Sequence, residues 1–255
     1  MYSTSKVSMW RWARAVVVAV LAANLIAPSH ADLNIGVGGS FDLGGGAMDL
    51  GCTDVVVGGT LNLSGGSLTN VRSLTIQSSG ILNAGSGSIT LAGDWSNQGN
   101  FNAGTGSVNF VDAPACATTS TISGNSNFYR LSIVSNSGKL YRFASGSSQT
   151  VGNQLTLLGS AALPLRIEAS TAGSFANINL AGNQVMANLA VRDMTASGQW
   201  LALGLSNQAS GGNTINWFGF PIVPTLSSTA LAALALSLAA LAQTQRRRRK
   251  RIDGQ

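Results

Sequence analysis

The chain has 255 residues, of which 45% are hydrophobic and 9% are charged, with 31 glycines and a single histidine. This length supports one or two domains with a buried core, and the apolar content excludes simple disorder. The formal net charge of +6 comes from the two ends, because residues 32–220 contain six basic and eight acidic side chains. The body therefore lacks the basic surface that nucleic-acid binding requires, and we predict no nucleic-acid partner.

Residues 1–31 predict a secretory signal peptide. Three basic side chains precede an apolar stretch over 15–27, and the small-residue boundary Ser29-His30-Ala31 follows it. We expect cleavage between Ala31 and Asp32, so that the mature chain is exported. The histidine leaves with this segment, which removes the commonest general base and metal ligand.

The body between the two ends consists of short alternating runs. ILNAGSGSITLAGD, beginning at Ile81, and NFNAGTGSVNFVDA, beginning at Asn100, align with a period of 19 residues. Runs such as VRSLTIQ and NQLTLLG, separated by Gly, Ser and Asn, are typical of β-strands with one buried face. The aligned apolar pairs of the repeat are Ile89 with Val108 and Leu91 with Phe110.

A period near 20 with several short strands per unit predicts an all-β fold, a right-handed parallel β-helix over 32–220. On the order of nine coils, stacked at about 4.8 Å, would give a rod roughly 40 to 45 Å long. A β-sandwich remains the alternative, since its strands recur at a similar spacing. We expect Trp200, Trp217 and Phe218 to cover the last open edge of the stack, with sugar stacking as their alternative role.

Cys52 and Cys116 predict a disulfide, because an exported body matures in an oxidising compartment. In a solenoid their separation of 64 residues corresponds to about three coils, or roughly 14 Å of rise. Bridged Cα atoms lie within about 7 Å of each other. One cysteine must therefore lie on an excursion loop, and the segment APACATTS around Cys116 has a suitable composition. Two free thiols are the alternative.

The acidic side chains are scattered singly along the body. Asp94 and Asp112 lie 18 residues apart, near one period, so a glycosidase-like carboxylate pair is one interpretation and two turn-forming aspartates the other. GGSFDLGGGAMDLG, with Asp42 and Asp49, superficially resembles calcium-binding glycine/aspartate repeats but lacks the third glycine of that unit. We predict no catalytic residue, no metal site and no cofactor.

The C-terminal segment 221–255 predicts a membrane stop. An Ala/Leu-rich run over 226–245 reaches the roughly 20 residues that a membrane-spanning helix needs. Six consecutive basic residues follow, and such a cluster resists translocation, so the tail would stay in the cytoplasm. These residues are Arg246, Arg247, Arg248, Arg249, Lys250 and Arg251.

The order of short motif, apolar helix and basic tail resembles the IPTL-type C-terminal sorting domain associated with exosortase-like membrane enzymes. The motif occupies 223–227, and the resemblance implies that a sorting enzyme recognises Val223, Pro224, Thr225 and Leu226. Val223 replaces the usual isoleucine, and the Trp-Gly that commonly follows is missing. A single-pass anchor that is never cleaved is the alternative.

The body resembles large surface and adhesin-like β-helical proteins of bacteria over about residues 50–218. The resemblance lies in AGDW at 92–95, FNAGTGSVNF at 101–110 and TISGNSNFYRLSI at 121–133.

Together these observations divide the chain into a signal peptide (1–31), a β-solenoid body (32–220) and a sorting and anchor segment (221–255). We expect an exported protein, held at the inner membrane and then passed to the cell surface or the medium. Its expected partners are the export machinery, the sorting enzyme, the membrane and a polysaccharide or matrix. The expected role is structural or adhesive. The alternatives are a carbohydrate-active β-helix enzyme and an envelope-anchored spacer without a ligand.

Overall fold

The computed structural model describes residues 32–210, 212–219, 232–238, 241 and 243. Within them the chain forms a parallel β-solenoid of about eight turns, followed by one short helix, α1, over 232–238. The predictions of an all-β chain and a parallel β-helix are confirmed. The β-sandwich alternative is wrong, because all pairings between the named strands of the described chain are parallel.

Twenty strands make up the described part of the solenoid. We call the loop 111–118, which contains Cys116, the cysteine loop. The strands before it are β1 (Leu33–Ile35), β2 (Ser40–Asp42), β3 (Ala47–Val57), β4 (Thr60–Asn62), β5 (Ser67–Ile76), β6 (Ile81–Asn83), β7 (Ser88–Leu91), β8 (Trp95–Asn97), β9 (Asn100–Asn102) and β10 (Ser107–Phe110). Those after it are β11 (Thr119–Gly124), β12 (Ser126–Ser135), β13 (Leu140–Phe143), β14 (Ser148–Gly159), β15 (Leu165–Ala169), β16 (Ala176–Leu180), β17 (Asn183–Ala187), β18 (Leu189–Arg192), β19 (Met194–Ser197) and β20 (Thr214–Ile215).

The strands stack into three faces, so each complete coil has a triangular outline. The first face contains β1, the second halves of β3 and β5, β8, β11, β13, β15 and β18. The second contains β2, β4, β6 and β9, then the first halves of β12 and β14, β16, β19 and β20. The third contains the first halves of β3 and β5, β7, β10, the second halves of β12 and β14, and β17.

The register of the coils follows the repeat in the sequence. Ile89 stacks on Val108 and Leu91 on Phe110, one coil apart, as the 19-residue alignment predicts. Other coils are longer: the stacked residues Trp95 and Ile122 are separated by 27 positions because a loop intervenes. The longer coils explain why the body has about eight turns and not nine.

The core fills the interior of the triangle with alternate side chains of most strands. At its centre Trp95 is fully buried. The centre of its ring lies 4.9 Å from that of Phe101, in an edge-on contact, and 5.4 Å from that of Phe128. The indole Nε1 donates a hydrogen bond to the Ser126 hydroxyl at 2.9 Å, which satisfies the polar atom of this large side chain. Apolar burial in one continuous column thus holds the coils together.

The NAG motif of the repeat is explained by a turn between the second and third faces. Gly85 and Gly104 occupy equivalent turn positions in successive coils, with φ of +60° and +54°. Glycine adopts this left-handed backbone without a steric penalty. A Cβ at Gly104 would also collide with the carbonyl oxygen of Gly85. The close stacking of the two turns therefore requires glycine.

The last coil is closed by a loop and by part of the predicted aromatic cap. The amide of Asn207 accepts a hydrogen bond from Val191 N at 2.9 Å and donates one to Val191 O at 2.8 Å, as a further strand would. Trp217 is buried and pairs with Leu201 in an isolated bridge, whereas Trp200 is 47% exposed. Trp217 thus closes the edge, and Trp200 lies at the rim.

The predicted ends of the chain lie largely outside the described residues. Of the predicted apolar helix 226–245, the structure describes helix at 232–238, 241 and 243. In that described part of the chain no helix has the length and apolar character needed to cross a membrane.

Candidate functional site

The two cysteines and several charged side chains lie at the corner where the third face turns into the first face of the next coil. We call it the stapled corner and define it as residues 50–54, 70–73, 92–94 and 111–118. Cys52 and Cys116 lie here as a disulfide pair with a Cα–Cα distance of 5.5 Å. The predicted pairing is supported, and Cys116 lies on an excursion loop as expected. Cys52 contributes as well, since it sits in a register shift of β3 at φ +72°.

An ion pair occupies the outer surface of this corner. Arg72 donates through Nε to Asp54 Oδ1 at 2.7 Å and through Nη2 to Asp54 Oδ2 at 2.5 Å. These hydrogen bonds lower the pKa of the Asp54 carboxyl, against a smaller opposing effect of burial. The side chains are 47% and 30% exposed, so the pair contributes modestly, at most about 1 kcal/mol.

Asp94 and Asp112, for which a carboxylate pair was one of two interpretations, each accept hydrogen bonds from backbone N–H groups of the next coil. Because Phe110 stacks on Leu91, Asp112 falls opposite Gly93, one position away from Asp94. Asp94 Oδ1 accepts a hydrogen bond from Thr121 N at 2.7 Å. Asp112 Oδ2 accepts from the Asn136 and Ser137 amides at 2.8 and 2.9 Å. These hydrogen bonds join neighbouring coils and so differ from the turn-forming interpretation, in which each aspartate bonds its own backbone.

Lys139 is a buried cation that the sequence did not reveal. It is 6% exposed, its Nζ donates to the carbonyl oxygen of Ala92, and it lies 5.0 Å from the centre of the Tyr141 ring. Burial lowers the pKa of Lys139, and the charges of Asp112 and Asp94 oppose that effect. Burial likewise raises the pKa of Tyr141 above its usual range. KLYRFAS identifies a strand, but nothing in it indicates that the neighbouring loop covers its lysine.

A shallow groove runs along the first face beside the corner. Two cavities, of about 320 and 240 Å³, meet at Arg166, which lines both. The cysteine loop, through Ala113, Pro114 and Ala117, forms one wall, and Gln208, Ala209 and Ser210 of the closing loop form the other.

The predicted processing residues mostly fall outside the described chain. Ala31, the motif 223–227 and the basic residues 246–251 are not described, so cleavage and sorting stay predictions. Asp32 is described: its carboxylate accepts a hydrogen bond from Asp54 N at 3.1 Å. Asp42 Oδ1 accepts from Gly44 N at 2.7 Å and Asp49 Oδ1 from Gly51 N at 2.9 Å, so both aspartates of the glycine-rich start form turns.

Comparison with family models, curated proteins and solved structures finds no match for this chain. Fold and site therefore define a parallel β-solenoid protein with a cross-linked corner, and any function has to be inferred from its surfaces.

Proposed function

We propose that the protein is exported and works at the bacterial cell surface as a structural or adhesive element. The observation that carries the proposal is a continuous row of uncharged polar side chains on the third face. One outward row runs through four coils as Thr90, Asn109, Ser132 and Thr156. Stacking places these groups about 4.8 Å apart along the axis. A regular array of hydroxyl and amide groups suits weak, repeated contacts with a neutral polymer, which add up through multivalency.

A hydrogen-bonded row on the second face has the same character. Asn83 donates to Asn62 at 2.7 Å and accepts from Asn102 at 2.7 Å. The row is fixed by the coils beneath it, so little side-chain freedom is lost when a partner binds. A rigid array of this kind supports a role in presentation and adhesion.

Export and sorting form the second part of the proposal. The signal pattern over 1–31 and the motif, apolar run and basic tail over 223–251 support it. The disulfide pair between Cys52 and Cys116 also supports it, because such bonds persist mainly outside the cytoplasm. The sorting enzyme would act near Thr225 and release the body from its membrane anchor.

The intact mass of the protein, recovered separately from envelope and medium of the native bacterium, tests export and sorting. A chain that begins at Asp32 and ends near Thr225, or carries an added group there, is the expected result. A chain that retains 246–255 contradicts sorting and leaves a permanent anchor. A cytoplasmic chain that still begins at Met1 overturns export.

Adhesion is tested by measuring how well cells attach. The gene is deleted from the native bacterium, and the wild-type protein or a variant is supplied in its place. Thr90→Glu/Ser132→Glu places two charges on the third-face row and should reduce attachment to that of the deletion strain. Ser86→Glu/Ala172→Glu adds the same charge at exposed turn positions and should attach normally. Equal attachment by both variants contradicts a role for the third face and favours the spacer without a ligand.

Polysaccharide cleavage on the same fold is the rival function. The proposal assigns no catalytic step to Asp94 or Asp112, whose carboxylates accept hydrogen bonds from backbone N–H groups of the next coil. Purified protein should therefore leave the chain length of added polysaccharides unchanged. Shortening that disappears in Asp94→Asn or Asp112→Asn would establish the enzyme instead.

A further inference from the structure

The charges of the body are separated along the solenoid axis. Residues 32–112 contain six acidic side chains and one basic side chain, whereas residues 113–220 contain two acidic and five basic ones. The first half of the body thus has a net charge of −5 and the second half +3. A mildly acidic body therefore has one end that attracts anions.

Three of the five cations of the second half lie on the first face, in outward rows. Arg166 stacks between Leu140 and Ala190, and the neighbouring row contains Arg142, Glu168 and Arg192. Arg142 Nε donates to Glu168 Oε1 at 3.1 Å, so these two charges offset each other. Among the residues that the structure describes, Arg192 Nη2 donates only to a neutral acceptor, the carbonyl oxygen of Ser210 at 3.3 Å. Its positive charge is therefore not neutralised by that contact.

Arg166 is the centre of this surface. Its guanidinium makes no hydrogen bond or ion pair with any residue that the structure describes, although it lines both cavities of the groove. An arginine side chain carries five N–H donors in a rigid planar fork that matches a carboxylate in two parallel hydrogen bonds. An unpaired guanidinium at the meeting point of two cavities is thus arranged for an external anion.

We propose that this groove binds an acidic polysaccharide, with a uronate carboxylate on Arg166 and a second acidic group near Arg192. The proposal rests on the surface role proposed above, and it adds a second contact surface, on the first face, whose partner is a carboxylated glycan. The small apolar lining of Leu140, Pro164 and Ala190 offers a surface on which the carbon face of a sugar ring packs. The groove lies across successive coils, so a polymer aligned with the axis would contact several of them.

An acidic peptide fits this surface less well. An extended peptide gains much of its affinity by adding a strand to a free sheet edge. The strand that carries Arg166, β15, is already paired on both sides, with β13 and with β18. The backbone groups of the groove floor are therefore used within the solenoid, and recognition depends on side chains.

The disulfide gives the groove a further property. The wall formed by Ala113, Pro114 and Ala117 belongs to the loop that Cys116 ties to Cys52. Reduction would release this loop from the coil that holds it, so we expect reduction to weaken binding while Arg166 stays in place on β15.

Binding of the full chain in detergent to polygalacturonate is the direct test, with methyl-esterified polygalacturonate, dextran and polyglutamate as comparison polymers. Arg166→Gln should weaken binding about tenfold or more, because one charge-assisted pair is lost. The matched control is Arg130→Gln, an exposed arginine on the third face. This control should change affinity less than about twofold. Unchanged thermal unfolding of both variants confirms that they are folded.

Each alternative outcome contradicts the proposal in a recognisable way. Equal losses in Arg166→Gln and Arg130→Gln would mean diffuse charge attraction without a site. Equal binding of dextran or the esterified polymer would exclude carboxylate recognition, and equal binding of polyglutamate would mean that any polyanion fits. If wild-type protein binds none of the polymers while its mature form is found at the surface and cells attach, the glycan assignment fails and the adhesive function stands.

Discussion

Cys52 and Cys116 are separated by 64 residues, yet their Cα atoms lie 5.5 Å apart at one corner of the solenoid. Cys52 sits between the third face of the first coil and the first face of the second, while Cys116 sits at the equivalent corner three coils later. Backbone hydrogen bonds between strands join only neighbouring coils in a solenoid. The disulfide is therefore a direct covalent bond between coils that are otherwise linked through the coils stacked between them.

Removing this bond should lower the resistance of the body to unfolding. Closing a loop of about 65 residues corresponds to about 4 kcal/mol in the chain-entropy model, and measured values for native disulfides are typically 2–5 kcal/mol. We expect Cys52→Ala/Cys116→Ala to lower the urea midpoint accordingly. Alanine suits the test because it bears the same left-handed backbone cost as cysteine at φ +72°.

The reduced wild-type protein provides the control for this double variant. Reduction breaks the bond without changing any residue, so its urea midpoint should coincide with that of Cys52→Ala/Cys116→Ala. Identical midpoints for oxidised wild type and the double variant would show that the bond adds no stability.

The inward and outward positions of one strand should differ sharply in their tolerance of alanine. Leu91 is fully buried in the core and stacks on Phe110. Leu91→Ala should lower the free energy of unfolding by about 2–5 kcal/mol, because a cavity replaces the lost side chain. Its neighbour Thr90 points outward from β7, and Thr90→Ala should change the value by less than about 0.5 kcal/mol. Chemical denaturation of the two variants measures the difference, and similar losses would contradict the assigned alternation.

The repeat made the fold predictable from the sequence. The pairs Ile89 with Val108 and Leu91 with Phe110 occupy stacked positions because each coil uses the same turn, which Gly85 and Gly104 form. Strand periodicity and coil length are local properties of the chain, so a single sequence contains them. The lengths of the coils that contain loops follow no such pattern, and the number of turns was overestimated for that reason.

The site could be predicted only where chemistry restricted the pairing. A chain with two cysteines allows one intramolecular pairing, so the number of cysteines was enough to pair Cys52 with Cys116. Lys139 and Arg166 were missed as site residues. The burial of Lys139 and the unpaired state of Arg166 among the described residues depend on how distant loops cover the first face. Such contacts between loops and faces arise in the folded chain and leave no period in the sequence.

The asparagine row of the second face should contribute measurably to stability. Asn83 donates to Asn62 and accepts from Asn102, both at 2.7 Å. Asn83→Ala removes two hydrogen bonds and leaves both neighbours without a partner, so we expect a loss of about 1–2 kcal/mol. Asn100→Ala, at an exposed position of β9, should cost less than about 0.5 kcal/mol. Urea denaturation measures both losses. Equal losses for Asn83→Ala and Asn100→Ala would show that the asparagine row adds nothing to stability.

The buried Lys139 should make stability depend on pH in the alkaline range. Because burial lowers the pKa of Lys139 from its ordinary value of 10.5, the folded chain releases this proton at a lower pH than the unfolded chain. Between the two values the unfolded state binds more protons, so the free energy of unfolding rises with pH. Tyr141 acts in the opposite sense: its pKa is raised from 10.0, so stability falls as pH increases beyond that value.

Lys139→Met should abolish the alkaline rise and keep the later fall, because the methionine fills a similar volume without a charge and Tyr141 remains. Arg130→Met removes an exposed cation and should leave the shape of the profile unchanged. The measurement is the urea midpoint of each protein from pH 7 to pH 11 under non-reducing conditions. A wild-type profile that is flat up to pH 10, or a Lys139→Met profile parallel to it, would mean that the Lys139 ammonium is solvated in the folded protein.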